Sequence, residues 1–369
     1  MNSIISKKWF LLVSGLICGI GAALLAFLGN PGNMAICIAC FIRDTAGALK
    51  LHQAEAVQYV RPEIIGIVAG SFIISLATKE FKSKSGSSPM IRFLLGMMMV
   101  IGALVFLGCP LRMVIRMSAG DLNAWIALIG FIAGIGCGCF ALKKGFSLGK
   151  SGSANTTGAV VMPSIMIVVL ILSVCTGLFV SSVSGPGSMH APVIASLLVG
   201  LVFGAFAQKS RMCFAGSIRD IFLMKNFDLI LIICGLFIPM LIYNIATGNF
   251  NLSMVGNPIA HRQTLWNILG MFVVGFGAVL AGGCPLRQLV LTGQGSQDAA
   301  ITVLGMFAGG ALSHNLMLAS SADSVNAETG EKIIGVASQN GKIAIIICIV
   351  ILILIAFVGN KNKKLKESK

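Results

Sequence analysis

A chain of 369 residues with 56% hydrophobic and only 11% charged residues, and a mean hydropathy of +0.94, is too apolar for a soluble domain, which carries about 25% charged residues; it is a membrane protein. Its net charge of +15 does not point to nucleic acid, because the basic residues collect in alternate connections between apolar runs, as the positive-inside rule requires. Eleven cysteines do not form a disulfide framework, since several stand inside apolar runs.

Runs near the bilayer-crossing length of about 20 residues fall at 9–29, 62–78, 91–107, 122–142, 160–182, 191–208, 227–247, 263–282, 300–319 and 341–359. The first follows Lys7 and Lys8 but lacks a small-x-small cleavage site at a suitable place, so it is read as a retained span. After it, "GNPGNM" supplies turn residues and leads to Cys37 in "CIACFIRD". The run 91–107 ends in Gly108-Cys109-Pro110-Leu111-Arg112. The run 122–142 carries "GIGCGCF", where Cys137 and Cys139 point to different helix faces, an arrangement for packing rather than for a metal. "GKSGSANTTGA" reads as a flexible linker before 160–182. Beyond 191–208 comes Cys213 in "CFAGSIRD"; the run 263–282 ends in Gly283-Cys284-Pro285-Leu286-Arg287; and "KNKKLKESK" closes the chain as a basic tail for an anionic leaflet. Cys18, Cys175, Cys234 and Cys348, inside the runs, read as small hydrophobes.

The chain repeats itself. "CIACFIRD" matches "CFAGSIRD", "LLGMMMVIGALVFLGCPLR" matches "ILGMFVVGFGAVLAGGCPLR", and "IALIGFIAG" matches "ITVLGMFAG", in the same order and about 175 residues apart. This predicts a first membrane repeat at 1–145, a linker and connecting span at 146–189, a second repeat at 190–320, and an outer loop, last span and basic tail at 321–369. An odd connecting span inverts the second repeat relative to the first, the arrangement of many transporters. The expected fold is thus an all-α polytopic membrane protein with two inverted four-span repeats, a linking span and an extra C-terminal span. Starting inside and alternating puts most of the Lys and Arg, Lys143, Lys144, Lys209 and the tail among them, in the cytoplasm, with both termini.

The repeated motifs carry the chemistry. Pro is favoured in the first turn of a helix, so Pro110 and Pro285 place Cys109 and Cys284 near the N-caps of short helices that dip into the protein and return. Such re-entrant backbone is tolerated where it is buried or lines a cavity. Helix N-termini carry partial positive charge and free N–H donors, and Arg112 and Arg287 stand one turn on. The site suits a small anion with a soft atom, met by sulfur from Cys37, Cys109, Cys213 and Cys284. The plainer readings are a tight helix break with Cys chosen for size, and interfacial anchoring for Arg43 and Arg219, each next to an Asp. Cys37 and Cys40 also form a C-x-x-C pair, but the second copy has Gly216 in place of Cys40. His52, His190, His261 and His314 are scattered without ligand spacing, so no metal or cofactor is expected. Apart from the Asp residues beside the loop motifs, no acidic residue is expected inside the membrane.

On these motifs the chain resembles the YeeE/YedE sulfur-transport family of bacterial inner-membrane proteins, over roughly 9–320. The resemblance implies passage of thiosulfate between cysteines by transient hydrogen bonds to sulfur, with the relay falling on Cys37, Cys109 and Cys284; Cys213 enters through the internal repeat. Similarity to the YedE-type branch linked to selenium metabolism implies a selenium compound as an alternative cargo. The expected function is transport without chemistry on the cargo, hence no enzyme. Its rivals are a membrane thiol oxidoreductase or sulfur transferase, and a scaffold delivering sulfur or selenium to a cytoplasmic carrier protein.

Overall fold

The computed structural model describes residues 2–325 and 332–367; residues 326–331 of the outer loop and Lys369 of the basic tail lie outside the described residues. In chain order the helices are α1 (Asn2–Phe27), α2 (Ile38–Ala48), α3 (Pro62–Ala77), α4 (Pro89–Phe106), α5 (Pro110–Ser118), α6 (Leu122–Lys143), α7 (Thr156–Cys175), α8 (Val193–Lys209), α9 (Phe214–Met224), α10 (Ile230–Ala246), α11 (Thr264–Ala281), α12 (Pro285–Gly293), α13 (Gln297–Asn315) and α14 (Gln339–Glu367). Two-residue strands pair as β1 (Lys84–Ser85) with β2 (Gly152–Ser153), and β3 (Ser324–Val325) with β4 (Lys332–Ile333). The protein is an all-α polytopic membrane protein.

Each of the ten apolar runs contains a helix, but among the described residues eight helical stretches are long and apolar enough to cross a membrane. Two expected spans fall short for different reasons. α10 has 17 residues, a length of about 25 Å at the α-helical rise. α13 carries Asp298, Thr302 and Ser313, all buried; its polar face is turned inward, so its composition does not read as a membrane span. The run 160–182 is also corrected. Asn155 accepts from the Thr157 N–H and starts α7 early, and Thr176 is already extended, so 176–182 is not helical. The preceding linker is tied down, because Gly152 and Ser153 pair with Ser85 and Lys84.

The packing is reciprocal. α3 lies on α8 and α1 on α10; α6 lies on α11 and α4 on α13; α4 and α11 lie on each other. The short helices follow the same scheme, with α12 on α3 and α5 on α10, and α2 on α13 and α9 on α6. Advancing each of α1–α6 by seven places, and moving its partner back by seven, turns every one of these pairs into another of them, except α4 with α11, which maps onto itself. Backbones meet at glycines, as membrane helices do in the absence of a hydrophobic drive between them. A methyl on Gly70 would overlap the Leu201 carbonyl, and one on Gly130 the Ile268 carbonyl. α7 and α14 lie at the periphery, with only 22% and 28% of their apolar spans buried.

The connections fall into two sets. In one, the loop after α1 meets those before α8 and α11: the Ala191 N–H donates to Asn30 Oδ1 at 2.8 Å, Asn33 Nδ2 to the Pro258 carbonyl at 3.0 Å, and the Asp323 N–H to the Ala260 carbonyl at 2.8 Å. In the other, Lys82 N–H donates to the Gln294 carbonyl, Ala154 N–H to Ser83 and Ser88 N–H to Leu148. Lys209 pairs with Glu80 on this second set, and Gly359, late in α14, abuts the Phe146 ring.

Candidate functional site

Four short helices begin at a cysteine. Cys37 is the N-cap of α2, Cys109 of α5, Cys213 of α9 and Cys284 of α12. Each has extended backbone at the cap, leaving the first-turn N–H groups directed at the sulfur side. The Cys37 Sγ accepts from the Cys40 N–H at 3.5 Å and the Cys213 Sγ from the Gly216 N–H at 3.2 Å. All four thiols are buried.

The four caps form two pairs. Cys37 Sγ lies 3.8 Å from Cys109 Sγ, and the Cys284 N–H donates to Cys213 Sγ at 3.5 Å. Each pair therefore joins the Ile-Arg-Asp motif and the Gly-Cys-Pro-Leu-Arg motif of one copy. The elements carrying them touch across copies as well, α2 against α12 and α5 against α9. Cys18 and Cys348 are buried in packing, whereas Cys137, Cys175 and Cys234 are exposed, on the outer faces of their helices rather than in the core.

The residues around the cysteine in the five-residue motif each have a structural setting. Pro110 and Pro285 occupy the first helical turn, where their missing N–H costs nothing. Leu111 and Leu286 are buried in the core. A Cβ at Gly108 would lie 3.0 Å from Arg112 Cδ, and one at Gly283 would lie 2.8 Å from Arg287 Cγ; the glycines make room for an arginine stem that folds back over the helix start.

The two arginines differ in setting. Arg112 is fully buried. Its Nε donates to the Asn33 carbonyl at 3.0 Å, Nη2 to the Ile259 carbonyl at 3.0 Å, and Nη1 to the Leu107 carbonyl and to Cys40 Sγ, the last at 3.6 Å. No carboxylate pairs with it among the described residues. Arg287 is half-buried and donates to Gln208 Oε1 at 3.4 Å.

The neighbouring charges serve structure. Arg43 donates through Nε and Nη2 to Asp44 Oδ1, and Arg61 takes Asp44 Oδ2 at 2.8 Å while donating on to the Pro186 and Met189 carbonyls. Arg219 holds Asp220 in the same way as Arg43 holds Asp44. Arg116 is also fully buried, paired with Asp121 at 2.7 Å and stacked on the Phe106 ring. Arg61 was invisible in the motif because its partner lies 17 residues away. Glu63, in the first turn of α3, is fully buried, its Oε1 accepting from Asn30 Nδ2 at 2.9 Å and Ser196 Oγ at 3.1 Å, a polar site the motifs did not mark. The His52 and His314 rings pack with centroids 4.7 Å apart, tilted by 30°, and no group of three metal-ligating side chains occurs among the described residues.

The chain matches the model of a family described as sulphur transport over residues 1–137 and 209–369. It is similar to the thiosulfate transporter TsuA of Spirochaeta thermophila, with 34% identity over 109 residues, 29% of this chain and 32% of that protein. It is also similar to the thiosulfate transporter TsuA of Escherichia coli, with 27% identity over 110 residues, 29% of this chain and 30% of that protein. The chain thus spans about a third of the length of the curated relatives it matches.

Proposed function

From the premise that this chain belongs to the sulphur transport family, we propose that it carries a small sulfur-containing anion of the thiosulfate type across the membrane through its two pairs of buried thiols. The observation that carries the reading is the geometry of those pairs: two helix N-caps meet in each, at 3.8 Å between sulfurs in one and 3.5 Å from N–H to sulfur in the other. The similar proteins are named as thiosulfate transporters. Converging N-termini supply partial positive charge and N–H donors to the oxyanion end, and thiols supply soft contacts to the sulfur end. The cargo enters at Cys37 and Cys109 and leaves by Cys213 and Cys284, without a covalent step, so the protein is not an enzyme. Selenium, close to sulfur in size and softness, fits the same contacts. The reciprocal helix pairing supports two inverted repeats, at 1–145 and 190–320, joined by the connecting span. The bacterial inner membrane is the expected location, with both termini in the cytoplasm.

Reconstitution of this protein alone in liposomes tests the proposal. Thiosulfate should enter faster than sulfate, with a reduced selenium species compared in parallel, and liposomes that stay tight to thiosulfate would refute transport. They would also return the delivery role, with a cytoplasmic carrier protein, to first place. The contact between Cys37 and Cys109 also favours a second reading, a sulfur transferase. A thiolate would attack the outer sulfur of thiosulfate, the new S–S bond replacing the old one, and sulfite would leave with the electron pair. A persulfide trapped on Cys37 or Cys109 during turnover would support that reading; flux without an adduct would exclude it.

A further inference from the structure

The seal around Arg112 has features that burial alone does not require. The three carbonyls on its guanidinium belong to Asn33, Leu107 and Ile259. All three residues are left-handed, with φ of 61°, 62° and 50°, a region that non-glycine residues rarely enter and that a β-branched side chain such as Ile disfavours most. In each case the strained backbone turns an oxygen onto Arg112. Two of the three lie in loops from opposite halves of the chain, one between α1 and α2, the other between α10 and α11. Asn33 Nδ2 joins these loops directly through the Pro258 carbonyl at 3.0 Å. Beneath them Cys37 and Cys109 are closed off, 0% and 1% exposed.

The second copy of the motif lacks this seal. Gly282 takes the place of Leu107 and holds the left-handed turn at φ 83° without a side-chain penalty. Gly282 is exposed, and Arg287 keeps one long contact to Gln208. One thiol pair is therefore covered while the arginine of the other copy is open.

We propose that Arg112 is a latch, holding the two loops shut over the Cys37–Cys109 pair until a sulfur oxyanion displaces their carbonyls from its guanidinium. The acceptors around Arg112 are three oxygens and one soft sulfur, that of Cys40. Thiosulfate offers the same set on one ion, with charge. An oxyanion adds the attraction of opposite charges, and a planar fork of two parallel N–H···O bonds, to what the neutral carbonyls offer the guanidinium, so the exchange favours the cargo, and release relaxes three strained residues. Cys40 thereby acquires a role its missing copy at Gly216 obscured: it belongs to the latch, which only one face has. The inference rests on the transport reading above and deepens it.

Hydrogen exchange on the whole protein in lipid nanodiscs tests the latch, with thiosulfate compared with chloride at equal ionic strength. Amides in 30–36 and 256–262 should exchange on the order of tenfold faster in thiosulfate, while those in 82–88 on the other face stay unchanged. Unchanged or slower exchange in the two loops overturns the latch, even where the liposomes transport thiosulfate. Transport failing in the liposomes would instead sink the reading beneath it. Arg112→Lys, which keeps the charge but loses the planar fork, should exchange fast in both salts. Loops as protected as in the unaltered protein would count against the proposal, and where that variant does not fold the comparison of salts decides alone.

Discussion

Cys109 and Cys284 are small residues at a helix break, and their size alone would satisfy the packing around them. On the proposed transport reading their function rests on sulfur. Cys109→Ala and Cys284→Ala should each lower thiosulfate flux by about tenfold or more with the protein folded. Ser at either position, isosteric but hard, should do little better, because it loses the polarizable contact. Cys175→Ala and Cys234→Ala, on exposed faces, should transport normally. Equal flux in all of these variants would leave the repeated motif with a structural role only. Arg116 offers a contrast to Arg112. From its spacing it looks like a dispensable neighbour, since Leu291 holds the matching place, yet it is fully buried against Asp121. Arg116→Leu should strand that carboxylate and cost about 3–5 kcal/mol of stability. It should appear as lost folded protein, and Asp121→Asn in the same chain should recover most of it. The N-cap places of Cys109 and Cys284 were legible because Pro follows each. Those of Cys37 and Cys213 were not, because cysteine is not a usual cap residue and no proline marks the turn.

At the scale of the element, apolar length was readable and polarity turned inward was not. The runs at 62–78, 91–107 and 122–142 became helices within a few residues of their expected ends. α13 kept its place but hides Asp298, Thr302 and Ser313 against its neighbours, which a count of apolar residues cannot distinguish from a poor span. Glu63 was missed for a similar reason: its partners, Asn30 and Ser196, sit on two other segments. The helix crossings depend on small residues, so a bulky side chain at one of them should act at long range. Gly70→Leu must push α3 from α8 at the Leu201 carbonyl. It should lower the unfolding temperature and flux together, whereas Gly152→Ala, whose Cβ meets nothing within 4 Å, should change neither. A folded and active Gly70→Leu protein would show that this crossing is looser than its geometry.

For the whole molecule, the two sets of loops bear on topology. The set containing Asn30, Pro258 and Asp323, and the set containing Lys82, Ala154 and Gln294, fall on opposite sides when all ten expected runs, α10 and α13 included, are counted as crossings. Reporter fusions at Lys150 and at the C-terminus should therefore both report the cytoplasm, and one at Gly256 the outside. An outside signal at the C-terminus would mean that α14 does not cross. Repeated blocks in the sequence are what suggest two halves, and the reciprocal helix pairing agrees with that reading. Their interleaving was not legible, because periodicity tells which face of a helix is apolar but not which distant helix covers it.

That interleaving has a consequence for how the protein is made. α1 leaves the ribosome long before α10, its main partner, and the intervening chain of some two hundred residues takes about 10–40 s to synthesise. During that time α1, with Gly15 and Gly19 destined for close approach to α10, stands in lipid with its crossing face unmatched. α3 waits for α8 in the same way, and α4 and α6 for α11 and α13. The early helices are thus inserted as independent spans, and assembly is a late event that requires nearly the whole chain. A nascent chain stopped short of α10 is a set of membrane anchors awaiting partners, its glycine faces still uncovered.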